Sequence, residues 1–229
     1  MQNNNVQSIR NEFIRKKQDG EIVDLGSTKV IEIIGASFEA DENIIFGELN
    51  KEYIDAEIKW YHTQSLSVDR LGSFYGKVPA IWDSVCSKSR KINSNYGYLI
   101  FSQKNCSQFD HVIHELLRDR NSRRATMIYN RPSIWKEYNE DGMSDYICTN
   151  SVSYQIRDDK LHVVVQMRSN DAWAGYRNDR AWQLHVQSLV IESLQDYDEV
   201  FENLTHGTIL WQVQNIHFYE RNFGLIPNE

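Results

Sequence analysis

The sequence has few of the residues that cross-link a chain, kink it or anchor it in a membrane. Its 229 residues include three cysteines and three prolines, and no apolar run approaches membrane-spanning length. The cysteine number is odd and no two have CxxC spacing, which argues against a disulfide framework and a cysteine-rich zinc site. Because the N-terminus lacks the apolar core of a signal peptide, we expect a reducing, cytoplasmic setting without a membrane.

The chain also lacks an excess of positive charge. It carries 25 Lys and Arg against 32 Asp and Glu, a formal net charge of -7. Direct binding to DNA or RNA needs a basic footprint, so neither is an expected partner, although a few arginines suffice for a small nucleotide. The chain shows no repeat and no linker rich in proline or glycine. Its length therefore predicts one domain over residues 1–229.

Hydrophobic spacing predicts helices and strands that alternate irregularly. Helical patterns cover 6–14, 50–66, 109–119 and the segment after Gly175. Strand patterns cover 29–38, 123–130 and the run from Gly207, before a final helix. The clearest hairpin spans 147–169 around a polar turn at Asp158-Asp159. This mixture predicts an α+β fold with a mixed or mostly antiparallel sheet.

Cys148 is the candidate nucleophile. A free cysteine is most often a small core residue, and by itself Cys148 would be read that way. However, Cys148 opens one arm of the predicted hairpin and Arg168 closes the other, so strand pairing would bring the two together. A neighbouring guanidinium favours the thiolate that nucleophilic catalysis requires.

Two arginine motifs predict a phosphate site. Arg123-Arg124 stands at the start of a predicted strand, where neighbouring side chains point to opposite faces, and Arg168 is followed by Ser169. One arginine of the pair should therefore face something other than water. Guanidinium forks fit phosphate oxygens two at a time, at about 1.5–3 kcal/mol for each charge-assisted hydrogen bond. Pairing with carboxylates is the alternative.

The chain resembles the thymidylate synthase superfamily, and most closely its phage branch of deoxycytidylate (dCMP) hydroxymethylases. The similar segments occur in order from Lys29 to Phe223: VIEIIGASF, EIKWY, IWDSV, INSNYG, NSRRATMIYNRPS, GMSDYICTN, QMRSNDAWAGYRNDRAWQ and IHFYERNF. The resemblance implies a thymidylate synthase-like fold, in which helices flank a mixed sheet and the sheet faces pack together in a homodimer.

The resemblance also implies a reaction without a metal. The Cys148 thiolate adds to carbon 6 of the pyrimidine, and carbon 5 then attacks the one-carbon unit of 5,10-methylenetetrahydrofolate. Synthases finish by hydride transfer, whereas hydroxymethylases add water and release 5-hydroxymethyl-dCMP and tetrahydrofolate. Activity on dUMP or CMP by the same fold stays an alternative, and so does a nucleotide-binding relative without turnover.

The resemblance assigns further roles to single residues. Arg168 and Ser169 bind the phosphate within the chain that supplies Cys148, while Arg123 and Arg124 reach across from the partner subunit. Glu57 organises water and proton transfer at carbon 5. Without the resemblance, Glu57 would be read as an exposed helix acid.

Five aromatic, histidine and acidic positions complete the implied site. Tyr96 lies beside the cysteine and the ring, although alone it would be read as a strand-end residue. His217 and Tyr219, two apart on a strand, share one face and bind the sugar 3′-hydroxyl. Trp82 and Asp171 contact the folate, and such a tryptophan is otherwise most often core.

Asp179 is the implied determinant of the base. Synthases carry asparagine here, which matches ring N3–H and the 4-oxo group of uracil. A carboxyl group that shares a proton with ring nitrogen 3 matches cytosine, whereas uracil would leave two acceptors facing each other at about 1–3 kcal/mol. The alternative is an acid at a helix N-terminus that satisfies amides. A helix N-terminus would favour the anion and burial the neutral acid.

The sequence departs from the synthase pattern at several positions. Thr149 and Ile147 flank the cysteine where synthases have His and Pro, and the CTN form is shared with the phage branch. A phosphate-binding arginine of the N-terminal loop has no clear counterpart, and Lys29 is its nearest substitute. The chain ends at Glu229, so a shorter tail is expected to leave the folate site more open to water.

Overall fold

The computed structural model describes residues 4–228, which form a mixed sheet and flanking helices. The strands are β1 (Val23–Asp24), β2 (Lys29–Glu39), β3 (Thr126–Ile128), β4 (Thr149–Arg157), β5 (Lys160–Asp171) and β6 (Thr205–Tyr219). The helices are α1 (Val6–Gln18), α2 (Lys51–His62), α3 (Val68–Tyr75), α4 (Ala80–Val85), α5 (Tyr96–Phe101), α6 (Gln108–Arg118), α7 (Ile134–Glu137) and α8 (Ala174–Tyr197). Short 3-10 turns include Glu220–Leu225 after β6.

The strands follow the order β1-β2-β6-β5-β4-β3. Strand β2 runs antiparallel to β6, with Val30 opposite Tyr219, whereas β5 runs parallel to β6, with Asp171 opposite His217. A parallel pair needs a crossover connection, and α8 supplies it between β5 and β6. The predicted mixed sheet in an α+β fold is confirmed.

The β4–β5 hairpin turns at the predicted residues. Asp158 and Asp159 have φ angles of 51° and 54°. A two-residue hairpin of type I′ requires positive φ at both central residues, and Asp is among the side chains that tolerate it.

Two compact units make up the chain. Within the described residues, the first comprises 4–49 and 155–228, and so contains α1, β1, β2, the end of β4, β5, α8 and β6. Its core includes three packed rings, Phe13, Phe46 and Phe218, with centroids 5.2–6.1 Å apart. The helix α1 buries Val6, Ile9 and Phe13 as its spacing predicts, and Asn5 with Ser8 forms a capping box at its start.

The second unit comprises residues 50–154 and contains α2 to α7, β3 and the start of β4. Aromatic rings dominate its core. Tyr61 stacks on both Trp60 and Tyr96, each at 5.4 Å, and Tyr96 meets Tyr129 edge-on at 5.1 Å. Gly97 follows Tyr96, and a Cβ added there would lie 1.9 Å from the Tyr61 carbonyl oxygen, so only glycine allows this approach.

Two local predictions differ from the structure. The strand predicted for 123–130 is limited to Thr126–Ile128, so Arg123 and Arg124 lie in the loop before β3 rather than on alternate faces of a strand. Helix α8 begins at Ala174, which places Asp179 in its second turn rather than at its N-terminus. That one catalytic domain spans 1–229 stays a prediction. Within residues 4–228, no helix has the length and hydropathy to cross a membrane.

Candidate active site

Cys148 lies immediately before β4 and is partly exposed, although both of its neighbours, Ile147 and Thr149, are fully buried. Its Sγ lies 3.8 Å from the carbonyl oxygen of Tyr146. Neither Cys86 nor Cys106 forms a disulfide in the described residues. The neighbours of Cys148 are thus held in the core while Cys148 itself remains partly exposed, and a nucleophile has to be accessible.

A buried carboxyl anchors the segment that leads to Cys148. Asp145 accepts hydrogen bonds from the backbone N–H groups of Asn93 (2.6 Å) and Ser94 (2.8 Å) and from the Ser94 hydroxyl (2.7 Å). Burial raises the pKa of Asp145 above its ordinary 3.8, although these donors oppose the rise. The three bonds fix the loop before Cys148 to the segment that enters α5.

Tyr96 is linked to the residue that follows Cys148. The Thr149 hydroxyl donates to the Tyr96 phenol oxygen over 3.0 Å, and both residues are buried. Tyr96 is the first residue of α5, capped by Asn95, whose side chain accepts from the Tyr98 N–H. Tyr96 is therefore not a strand-end residue, and its ring stays in the core of the second unit.

Glu57 is buried inside the second unit, at 5 % exposure, rather than exposed on its helix. The Tyr53 hydroxyl, one turn earlier on α2, donates to Glu57 Oε1 over 2.5 Å. The indole Nε1 of Trp82 donates to the Tyr53 oxygen at 2.7 Å and to Glu57 Oε1 at 3.3 Å. Trp82 is partly exposed, so one carboxyl and two aromatic donors form a cluster at an accessible edge.

The burial of Glu57 sets its proton affinity. Burial raises the pKa of Glu57 from its ordinary 4.5 to about 7, against hydrogen bonds from three aromatic side chains, Tyr53, Trp82 and Tyr61. A carboxyl with a pKa near neutrality can both take up and release a proton at working pH, which is the property of a general acid or base.

Arg123 and Arg124 are both exposed. The guanidinium of Arg124 makes an ion pair with Glu115 at 2.9 Å, and its side chain is 68 % exposed. The expectation that one arginine of the pair faces away from water is therefore wrong for the single chain, because the pair lies in a loop. Glu115 is held in place by the Ser122 hydroxyl, which donates to its Oε1 over 2.5 Å.

The end of β5 carries Arg168, Ser169 and Asp171, all half-buried. Asp171 Oδ1 accepts from the backbone N–H of Trp173 at 2.8 Å and of Ala174 at 3.4 Å. Asp171, rather than Asp179, is therefore the acid at the start of α8. Lys29 is exposed at the first position of β2.

His217 and Tyr219 lie on one face of β6, with ring centroids 4.9 Å apart. Burial lowers the pKa of His217 below its ordinary 6.5, while the charge of Asp171 opposes the shift. His217 is thus held largely neutral near pH 7, and Nδ1 lies 3.2 Å from Oδ1 of Asn215. The guanidinium of Arg221 lies over the Tyr219 ring at 4.4 Å.

Asp179 is partly buried on α8 and is bonded to a residue that sequence reasoning missed. The Nδ2 of Asn170 donates to Asp179 Oδ2 over 2.7 Å. Asn170 is 3 % exposed and accepts a hydrogen bond from the indole of Trp211. No sequence signal distinguishes this asparagine from a capping or turn residue.

Two other site residues were missed. Tyr53 precedes Glu57 by four residues, a spacing that places both on one helix face, so the sequence was sufficient to predict this contact. Asp145 bonds to residues some fifty positions away, which local patterns do not reveal. Among residues 4–228 no group of three or more His, Cys, Asp or Glu side chains is arranged to hold a metal ion.

The sequence matches known proteins over most of its length. Residues 46–228 match the family model described as thymidylate synthase. The chain is 47 % identical over 212 residues to the deoxycytidylate 5-hydroxymethyltransferase of Enterobacteria phage T4, covering 93 % of this chain and 85 % of that protein. It is 27 % identical over 150 residues to the thymidylate synthase of Bacillus subtilis subsp. natto, covering 62 % and 48 % of the two chains.

Solved structures share the fold at low sequence identity. Thymidylate synthase from T4 phage superimposes with a TM-score of 0.73 at 18 % identity, covering 96 % of this chain and 77 % of that chain. Thermostable thymidylate synthase A from Bacillus subtilis gives 0.70 at 19 % identity, with 96 % and 80 % covered. By the sequence match and the shared fold together, this chain belongs to the thymidylate synthase family.

Proposed function

We propose that the protein hydroxymethylates carbon 5 of dCMP, consuming 5,10-methylenetetrahydrofolate and water and forming 5-hydroxymethyl-dCMP and tetrahydrofolate. The observation that carries the proposal is the 47 % identity, over 93 % of the chain, to a protein named for this activity. Asp179 supports cytosine as the base, because the resemblance places asparagine there in enzymes that act on uracil.

Cys148 is the proposed nucleophile. A lone pair of its thiolate forms the bond from Sγ to carbon 6, the π electrons of the carbon 5–carbon 6 double bond shift to carbon 5, and carbon 5 becomes nucleophilic. Elimination of the thiolate at the end restores the double bond. The partial exposure of Cys148, between two fully buried residues, supports this role.

Glu57 is the proposed acid–base group for proton transfer at carbon 5. Ionised Glu57 accepts the proton that leaves carbon 5, either directly or through water. A pKa of about 7 supports this role, since both protonation states are then populated at neutral pH. The donors Tyr53 and Trp82 hold the carboxylate in one orientation.

The nucleotide phosphate is the proposed ligand of Arg168 and Ser169, and the sugar 3′-hydroxyl that of His217 and Tyr219. Half-burial of Arg168 strengthens its attraction for an anion relative to a fully solvated charge. A neutral His217 can accept or donate to a hydroxyl, and Tyr219 lies beside it on the same strand face. Tyr96 is the proposed aromatic neighbour of the pyrimidine ring.

Folate is the proposed co-substrate, and when bound it supplies the one-carbon unit. Trp82 fits such a ligand because the residue is partly exposed, and an aromatic face suits a flat heterocycle. Asp171 fits as a hydrogen-bond acceptor for the folate through Oδ2, because the N–H groups at the start of α8 bond to its other oxygen, Oδ1. Both assignments come from family membership.

A homodimer is the proposed assembly, with Arg123 and Arg124 of each subunit binding the phosphate in the other. Their exposure supports a role outside their own chain, and Glu115 holds Arg124 without burying it. Two guanidinium groups added in this way would raise the positive charge around the phosphate.

Tritium release from carbon 5 tests the proposal. The wild-type protein, with 5,10-methylenetetrahydrofolate, should release tritium from labelled dCMP and not from labelled dUMP. Cys148→Ser should abolish release while nucleotide binding persists, and Cys106→Ser, which changes an exposed thiol, serves as the matched control. Release from dUMP alone would contradict the assigned base, and release by Cys148→Ser would contradict the assigned nucleophile.

A further inference from the structure

The buried amide of Asn170 joins a tryptophan of β6 to the carboxyl of Asp179. Its Nδ2 donates to Asp179 Oδ2 over 2.7 Å, and its Oδ1 accepts from the indole Nε1 of Trp211 over 3.3 Å. Asn170 is 3 % exposed and Trp211 is fully buried. Both hydrogen bonds are therefore shielded from water.

The indole determines which way the Asn170 amide faces. An indole N–H can only donate, so the atom opposite it has to be the amide oxygen, and the amide nitrogen consequently faces Asp179. Trp211 is itself fixed, because its ring packs edge-on against Tyr176 at 5.5 Å. Reversal of the amide would oppose two N–H groups in the core.

A fixed donor favours the carboxylate form of Asp179 over the neutral acid, because a hydrogen bond to an ionised acceptor is stronger than one to a neutral acceptor. The amides at the start of α8 do not supply this stabilisation. Helix α8 begins at Ala174, so Asp179 lies in its second turn, whereas the stabilisation of an anion by a helix N-terminus fades within the first turn. In addition, the N–H groups of Trp173 and Ala174 at the start of the helix are bonded to Asp171.

We propose that Asn170 is a positioning residue for base selection, an inference that rests on the proposed function: its amide holds Asp179 as a carboxylate whose two oxygens both accept. A carboxylate accepts a hydrogen bond from the 4-amino group of cytosine. It accepts a second one from ring nitrogen 3 after that nitrogen has taken up a proton from the solvent. Against uracil it places an acceptor opposite the 4-oxo group. A neutral carboxyl offers one donor and one acceptor, which also matches uracil, so Asn170 excludes uracil by disfavouring that form.

Gly175 provides independent support, because it leaves room for the hydrogen bond. A Cβ built on Gly175 would lie 3.0 Å from Asn170 Nδ2 and 3.7 Å from Asp179 Oδ2. Gly175 lies in the first turn of α8, where alanine is otherwise preferred over glycine. Gly175→Ala should therefore disturb the bond without removing either polar group.

Calorimetric binding of dCMP and of dUMP, each without folate, tests the inference. Asn170→Ala should strengthen dUMP binding and leave dCMP binding nearly unchanged, so that the preference for dCMP falls about tenfold or more, the scale of one charge-assisted hydrogen bond. Asn170→Asp keeps the acceptor toward Trp211 but replaces the donor with a second carboxyl that shares a proton with Asp179, and it should lower the preference at least as far. A purely structural role would weaken both nucleotides together.

Two further variants separate this effect from loss of stability. Gly175→Ala should lower the dCMP preference in the same direction but by less. Gln187→Ala removes another fully buried amide of the first unit, which donates to the Leu161 carbonyl at 2.7 Å, and should lower the melting temperature while the preference stays unchanged.

The outcomes distinguish the inference from the proposed function. If the wild type binds and converts dCMP but Asn170→Ala leaves the preference within about twofold, below the effect of one charge-assisted hydrogen bond, the role of Asn170 is wrong and the function stands. If the wild type itself shows no preference for dCMP, both are wrong. A gain in dUMP affinity with dCMP affinity nearly unchanged would support the inference.

Discussion

The Tyr53 hydroxyl oxygen lies 2.5 Å from Oε1 of Glu57, one helical turn away on α2, and both side chains are buried. The contact unites an acid of raised proton affinity with a donor that favours its ionised form. Trp82 donates to both the Tyr53 oxygen and Glu57 Oε1. Because Tyr53 and Trp82 both donate to Glu57, the Tyr53 hydroxyl helps to set the pKa of Glu57.

Removal of the Tyr53 hydroxyl should move the pH profile of the reaction. In Tyr53→Phe the ionised Glu57 loses a hydrogen bond, so its pKa rises above about 7 and the acidic limb of kcat/KM shifts to higher pH, by about one pH unit. Tyr75→Phe is the matched control, because Tyr75 packs edge-on against Tyr53 at 5.2 Å. An unshifted limb in Tyr53→Phe would show that Tyr53 has no part in the titration.

Glu57 should make the protein less stable as pH rises. A carboxyl whose pKa is about 7 when folded and 4.5 when unfolded contributes stability below pH 4.5 that is lost as the pH passes through 7. The loss is roughly 3 kcal/mol, at about 1.4 kcal/mol for each pH unit. Glu57→Gln should remove this dependence.

Urea denaturation at about pH 4.5 and about pH 8 measures the effect, with exposed Glu52→Gln on the same helix as the control. The free energy of unfolding of the Glu57→Gln variant relative to the wild type should increase with pH. If the difference between the two proteins is the same at both pH values, Glu57 does not carry a raised pKa in the folded protein.

The hydrogen bonds of Asp145 should matter for both stability and turnover. Asp145→Ala leaves the buried backbone N–H groups of Asn93 and Ser94 without their acceptor, at a loss of about 3 kcal/mol. Release of the loop should also lower turnover by Cys148. Asp141→Ala is the control, because Asp141 is exposed and its hydrogen bond from the backbone N–H of Ser89, at 2.8 Å, is open to water. Equal destabilisation by the two substitutions would rule out the anchoring role.

Mixed dimers should reveal whether the arginines act across the subunit boundary. Cys148→Ser and Arg124→Ala should each be nearly inactive alone. In a heterodimer one site carries both lesions and the other neither, so random mixing should restore about a quarter of the wild-type activity. Absence of recovery after verified subunit exchange would place Arg124 in the site of its own chain.

The fold was predictable where hydrophobic spacing determines the secondary structure and the buried face. It was less predictable where a single side-chain contact determines which face is buried. The stripe of α1 and the Asp158-Asp159 hairpin turn follow from local pattern. In α2, by contrast, the stripe of Tyr53, Ile54, Ile58 and Tyr61 is rotated, because Glu57 occupies the buried face and the two isoleucines are half-exposed. Burial of a carboxyl depends on partners such as Trp82, which lies 25 residues away in sequence.

The candidate site was predictable in its residue types but not in its supporting contacts. Motif resemblance predicts roles for Cys148 and Asp179, and these stay predictions, whereas the bond from Asn170 to Asp179 forms only when β5 and α8 fold together. Similarly, Asp179 falls one turn later in α8 than its sequence suggests, because the helix begins at Ala174, where Asp171 accepts from the N–H groups of Trp173 and Ala174. The sequence pattern therefore did not predict the side-chain contacts that form between different helices and strands of the site.

Mass analysis of the nucleotide after incubation of the wild-type protein with dCMP and 5,10-methylenetetrahydrofolate tests the central claim most directly. The product should be heavier than dCMP by one CH₂O group, and Cys148→Ser should leave dCMP unchanged. A gain of one CH₂ group, or modification of dUMP in place of dCMP, would contradict the assignment.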